Sequence, residues 1–144
     1  MSEFSGKPTI LLVEDNPLDE KLTLRALEQC PVAHHTVVAR DGEEALIYLF
    51  GDENGRRPIL PALVLLDLKL PKVGGLEILQ RLRSNEQTRG IPVVVLTSSD
   101  VERDILQSYN IGVNSYIQKP VDYDQYTSTI QELGLYWLTI NKNP

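Results

Sequence analysis

Apolar residues along the chain follow two kinds of pattern, and the two alternate. Thr9-Ile10-Leu11-Leu12-Val13, Leu63-Val64-Leu65-Leu66 and Val93-Val94-Val95-Leu96 are short unbroken runs, as expected of strands covered on both faces. Thr36-Val37-Val38-Ala39 and Ser115-Tyr116-Ile117-Gln118 are weaker candidates and bring the expected strands to five. Between them lie segments with helical spacing. Asn16 before Pro17 supplies a capping side chain and a proline at a first-turn position, and Leu22, Ala26 and Leu27 form the stripe that follows. Asp41 with Glu44 resembles a capping box ahead of Ala45, Leu46 and Leu49. Leu76, Leu79 and Leu82 mark a third helix, and Ile105, Leu106 and Tyr109 a fourth that Gly112 stops. The fifth is the longest: Asp122 and Gln125 open it, and Tyr126, Ile130, Leu133, Trp137 and Ile140 share one face. Residues 51–58 are polar and rich in turn formers, which predicts an exposed loop before the third strand.

Alternation of this kind predicts an α/β fold of (βα)5 type, and right-handed crossovers make it doubly wound. A length of 144 residues fits one domain, so no output domain is expected after the last helix. The formal net charge of −6 repels phosphate backbones and anionic lipid, so neither nucleic acid nor membrane is an expected direct partner. Cys30 stands alone and forms no internal disulfide, and no apolar run is long enough to span a bilayer. The polar opening, residues 1–8, lacks the apolar centre of a signal peptide, so a cytoplasmic protein is expected.

In doubly wound sheets ligands bind beyond the carboxyl ends of the strands. Those ends carry Glu14-Asp15 on the first strand, Asp67 on the third, Thr97-Ser98-Ser99 on the fourth and Lys119-Pro120 on the fifth. Three carboxylates gathered there repel one another unless a cation sits among them, and Mg2+ with its oxygen ligands is the natural candidate. Lys119 and Thr97 are suited to the oxygens of a phosphoryl group, and a central carboxylate to the role of nucleophile. Each residue also has a plainer reading. Glu14 and Asp15 taken alone would merely begin the turn into a capped helix, and Ser99 or Asp100 would cap the fourth helix, leaving Thr97 free. His34 and His35 are read as surface residues and Cys30 as a passive thiol.

Taken in order, these residues make the chain resemble the receiver domain of two-component response regulators, in the CheY-like superfamily. The likeness runs over residues 8–140, with 1–7 as a flexible lead-in and 141–144 as a tail. Besides the acidic pair, Asp67, Thr97 and Lys119, it rests on Pro71 and Gly75 after Asp67 and on Tyr116. The resemblance implies a flavodoxin-like, five-stranded parallel sheet in the order 2-1-3-4-5. It implies that Asp67 is the phosphoacceptor, assisted by Lys119 and Thr97. Mg2+ is then held by Asp15, Asp67 and the backbone carbonyl of Lys69, with Glu14 acting through water. Thr97 and Tyr116 become switch residues, and the peptide bond before Pro120 is cis.

Within the family the chain is most similar to the small cyanobacterial regulators that serve phytochrome kinases. The residues that carry this are 11–17, the extended loop 51–62, 65–71, 91–99 and the pair Trp137-Leu138. The implied partners are a sensor histidine kinase of phytochrome type and an unidentified downstream protein. Signalling is expected through the surface of the fourth helix, fifth strand and fifth helix, and homodimerisation there is left open. The chain is expected to catalyse only its own phosphorylation and dephosphorylation. Glu14 in place of the commoner aspartate, and Lys69 at the carbonyl position, are departures whose effect is left open. Three alternatives stand beside this reading. A Mg2+-dependent aspartyl-phosphate hydrolase would want a second aspartate where Lys69 stands, and a cap domain. A flavin or nucleotide module would want a glycine-rich loop where Glu14-Asp15-Asn16-Pro17 stands. A phosphate-independent adaptor is the third.

Overall fold

Capping and burial decide where each element begins and which face it turns inward. The computed structural model describes residues 7–68, 70, 72–97, 115–118 and 123–140. Its strands are β1 (Thr9–Val13), β2 (His35–Ala39), β3 (Leu63–Asp67), β4 (Val93–Thr97) and β5 (Ser115–Gln118). Its helices are α1 (Pro17–Glu28), α2 (Gly42–Phe50), α3 (Gly75–Ser84) and α4 (Tyr123–Ile140). Thus α4 is the fifth helix expected from the sequence; the expected fourth, with Ser99, Asp100, Ile105, Leu106, Tyr109 and Gly112, lies outside the described residues. So do Lys69, Lys119, Asp122 and Pro120, and with Pro120 the expected cis bond.

Asn16 opens α1 as its pattern predicts: its side chain accepts from the N–H groups of Leu18 and Asp19 at 2.9 and 3.0 Å, satisfying two donors that the first turn cannot. Asp41 opens α2 by accepting from the Glu44 N–H at 2.7 Å. The Glu44 carboxylate reaches back to the Arg40 N–H at 2.6 Å, a capping box displaced by one residue.

All five strands run parallel in the order β2-β1-β3-β4-β5. Successive side chains alternate between the two faces. Leu11, Val13, Val64 and Leu66 therefore pack with Leu49, Ile78 and Leu82 of α2 and α3. Ile10, Leu12, Leu63 and Leu65 pack with Leu27 of α1 and Tyr126, Ile130 and Leu138 of α4.

The apolar face of α4 differs from the one its spacing suggests. Its buried row is Tyr126, Ile130, Gly134 and Leu138, in steps of four, while Leu133 and Trp137 are half-buried at its flank. Gly134 packs against α1, where a Cβ would make ordinary contact with Leu27 Cδ2 at 3.6 Å and Cys30 Sγ at 3.7 Å. The glycine sits at the α1 contact, and an apolar count passes over it. On α1 the most deeply buried position of the first turns is likewise Thr23 rather than Leu22. Its Oγ1 meets the Tyr126 hydroxyl at 2.9 Å in the buried seam between α1 and α4. Tyr126→Phe is expected to cost about 1 kcal/mol, because Thr23 keeps a buried hydroxyl without that partner; adding Thr23→Val should recover part of the loss. Urea unfolding of the two single variants and the double variant measures this, and strictly additive losses would contradict it.

Candidate functional site

The site lies where the strand order turns back on itself. β1 has β2 on one side and β3 on the other, so the connections that leave these strands diverge and open a crevice at their carboxyl ends. Val13 is paired with both Ala39 and Leu66, and the next residues are Glu14-Asp15 on one strand and Asp67 on the other. One carboxylate oxygen from each of Glu14, Asp15 and Asp67 lies within 4.8 Å of the others. Glu14 is fully buried, Asp67 is nearly so, and Asp15 is exposed at the mouth. Backbone bonds fix the floor: the Glu14 N–H donates to the Ala39 carbonyl at 2.9 Å, and Glu14 Oε2 accepts from the Asn16 N–H at 3.2 Å.

Two largely buried carboxylates and a third beside them form a strongly anionic pocket with hard oxygen donors. That donor set fits a divalent cation, whose charge offsets repulsion that burial would otherwise strengthen. Register places Thr97 at the end of β4, one residue past the partner of Asp67, and opposite Gln118. Tyr116 pairs with Val95 in β5. Thus Glu14, Asp15 and Asp67 are brought together, and Thr97 and Tyr116 stand on the neighbouring strands.

The segment after Asp67 is held by contacts that sequence spacing does not reveal. Lys72 adopts a left-handed φ of 70° and places its ammonium 3.5 Å from Asp41 and 3.8 Å from Glu43, at the start of α2. Gly42, between those acids, lies so close to Val73 that a Cβ would strike the Val73 carbonyl. Only the capping-box spacing of Asp41 and Glu44 hinted at a role for Asp41, and nothing marked Lys72. Just past the end of β2, Arg40 forms a two-pronged pair with Glu20 of α1 at 2.9 and 2.7 Å.

The Glu44 N–H holds the Asp41 carboxyl below its ordinary range, and the Lys72 charge acts in the same direction. A depressed folded-state value means the stabilisation is complete above the ordinary carboxylate range and is lost as pH falls through the folded value. Asp41→Ala is therefore expected to destabilise by about 1 kcal/mol at neutral pH, with the gap to wild type closing in acid. Asp41→Asn should keep the cap and lose that pH dependence. Chemical denaturation across acidic pH tests both, and a gap that stays constant with pH would contradict them.

No described helix is long and apolar enough to cross a membrane. Residues 10–131 match the response regulator receiver domain. The chain is 44% identical over 135 residues to the probable methanogenesis regulatory protein FilR2 of Methanothrix harundinacea, covering 94% of this chain and 86% of that one. It is 37% identical to response regulator Rcp1 of Synechocystis, over 96% of this chain and 95% of Rcp1. The crystal structure of the Mn2+-bound form of Rcp1 superposes with a TM-score of 0.82, covering 91% and 94% of the two chains. The phosphorylated cyanobacterial phytochrome response regulator RcpA gives 0.83 at 40% identity, covering 93% and 96%. The bacteriophytochrome response regulator AtBRR is 53% identical with a TM-score of 0.72, covering 91% and 95%.

Proposed function

The chain belongs to the response regulator receiver domain family, and from that premise we propose that it is a phosphoacceptor of a two-component relay in which Asp67 takes a phosphoryl group from a histidine kinase. The observation that carries this reading is the carboxylate cluster at the β1/β3 switch point, with Asp67 buried among Glu14 and Asp15. A carboxylate oxygen of Asp67 attacks the phosphorus of a phosphohistidine; the P–N bond breaks and its electron pair stays on the imidazole. Asp15, Asp67 and the backbone carbonyl of Lys69 would hold Mg2+, with Glu14 acting through water, and the ion would supply positive charge against the phosphoryl oxygens. Mg2+ fits the hard donor set, and a Mn2+-bound relative of the same fold supports a divalent site.

The ammonium of Lys119 and the hydroxyl of Thr97 serve as donors to the transferred phosphoryl group, which adds about −1.5 to −2 charges and strong acceptor oxygens. Thr97 then draws Tyr116 with it, and the surface that includes β5 and α4 shifts between two pre-existing arrangements. The kinase is of phytochrome type, a choice supported by the likeness to RcpA and AtBRR. The signal leaves by contact with a downstream protein. Residues 8–140 form the receiver unit, and it acts in the cytoplasm.

Intact-protein mass spectrometry after incubation with a small acyl phosphate tests the reading, with and without Mg2+. The expected result is a Mg2+-dependent gain of one phosphoryl group that hydroxylamine removes and Asp67→Asn abolishes. No gain in wild type from either the acyl phosphate or a phosphorylated phytochrome kinase would overturn it, and so would an equal gain in Asp67→Asn.

A further inference from the structure

Basic side chains stand at the end of the sheet opposite the carboxylates, on segments that also carry the exposed acids Asp52, Glu53 and Glu86. Arg56 and Arg57 on the loop before β3, Arg81 near the end of α3 and Arg89 beyond it are all exposed where the strands begin. Two of them lie against aromatic rings: the Arg56 guanidinium lies 5.4 Å from the centre of the Tyr48 ring, and that of Arg81 lies 5.5 Å from the centre of the Phe50 ring. Both rings belong to the last turn of α2, so the two cations flank one helix end. The loop itself is held by hydrogen bonds. The Asp52 carboxylate accepts from the Asn54 and Arg56 N–H groups at 3.0 and 3.1 Å, and the Ile59 N–H donates to the Tyr48 carbonyl at 2.8 Å. Beside Ile59 stands Leu60, 65% exposed.

A guanidinium drawn to a ring by its charge still has N–H donors to spare, and its planar fork matches a carboxylate. Arg40 and Lys72 form ion pairs, whereas among the described residues none involves Arg56, Arg57, Arg81 or Arg89. The plainer role for these charges is to face the negative end of α2, which has no basic residue of its own in its last turn. One cation meets that need. It leaves unexplained why two arginines lie against that one helix end, with Arg57 and the exposed Leu60 on the same loop.

We propose that the patch of Arg56, Arg57, Arg81 and Leu60 docks a partner protein through an acidic segment carrying an apolar side chain. The arginine edges take the carboxylates as charge-assisted pairs, and Leu60 gives the apolar side chain a contact. A polyphosphate is the poorer fit: the whole chain carries −6, which opposes a dense phosphate array more than a few carboxylates, and a phosphate backbone offers Leu60 nothing. Because the patch lies at the end of the sheet away from Asp67, docking does not depend on the phosphoacceptor.

The test is fluorescence anisotropy at low salt with a fluorescein-labelled peptide of glutamate and leucine. A lysine–leucine peptide and a single-stranded DNA of equal charge serve as comparators. The expected result is a saturable rise with the acidic peptide alone, weakened at least about tenfold in Arg56→Gln/Arg57→Gln/Arg81→Gln, weakened less in Leu60→Ser, and unchanged in Asp67→Asn. Thermal melts confirm that the variants fold. No saturable rise with wild type, equal binding by the triple variant, or DNA binding as tight as the peptide's would each overturn the proposal.

Discussion

Asp67→Asn is expected to melt higher than wild type in the presence of a chelator, and to lose most of the rise that Mg2+ gives the wild-type protein. Glu14, Asp15 and Asp67 place carboxylate oxygens within 4.8 Å of one another, and two of the three side chains are buried. At an effective dielectric of about 20, unit charges at that separation repel by roughly 3 kcal/mol. Local hydrogen bonds such as that from Asn16 N–H to Glu14 offset part of this. Removing the central charge while keeping its shape should therefore stabilise the metal-free fold by about 1–2 kcal/mol, or roughly 3–6 °C for a domain of this size. In wild type, a cation at a hundred times its Kd adds about 2.7 kcal/mol; the variant has lost one of the proposed ligands and should gain little. Scanning calorimetry with EDTA and with Mg2+ gives both quantities. A variant that melts lower in EDTA would show that this cluster is not mutually repulsive, and one that keeps the full Mg2+ response would show that Asp67 does not hold the cation.

The strands were the most legible part of the chain because β1, β3 and β4 are buried on both faces, so apolar runs such as Leu63-Val64-Leu65-Leu66 carry no polar interruption. Their order in the sheet is not encoded in any run; it came with the family likeness and agrees with the order found. Local caps such as Asn16 could be read because donor and acceptor lie within four residues. What escaped the sequence is what depends on distant partners. Thr23 is buried because Tyr126 supplies a hydroxyl 103 residues away. Gly134 enters the buried face of α4 because α1 approaches it, and Lys72 finds Asp41 across two elements. The same limit holds at the site. Strand ends marked Glu14, Asp15 and Asp67 as neighbours, since a parallel sheet aligns them, yet nothing local said that Glu14 would be wholly buried while Asp15 stayed exposed.

Two adjacent glycines after Asp67 should respond very differently to the same added methyl group. Gly75 begins α3 with its N–H bonded to the Leu68 carbonyl at 3.0 Å. A Cβ there would strike the Asp67 carbonyl and lie 2.6 Å from Leu68 Cα and 3.1 Å from Leu68 C. All three are backbone atoms of β3 and its exit, which no rotamer change can clear. Gly75→Ala must therefore push α3 away from β3, which opens the packing of Ile78 and Leu79 against the sheet, or displace Asp67 itself. Overpacking of this kind costs about 3 kcal/mol, roughly 10 °C of melting temperature. A shift of about 1 Å in the carboxylate should slow phosphoryl uptake by up to a hundredfold. Gly74 is the internal control. It is the N-cap of α3 with extended backbone, and a Cβ there meets nothing within 4 Å. Gly74→Ala should leave uptake within about twofold of wild type, and Gly74→Ser should gain a few tenths of a kcal/mol by supplying the side-chain cap this helix lacks. Thermal melts combined with acyl-phosphate uptake rates separate the two positions. Equal tolerance at both would mean that the close approach of α3 does not position Asp67.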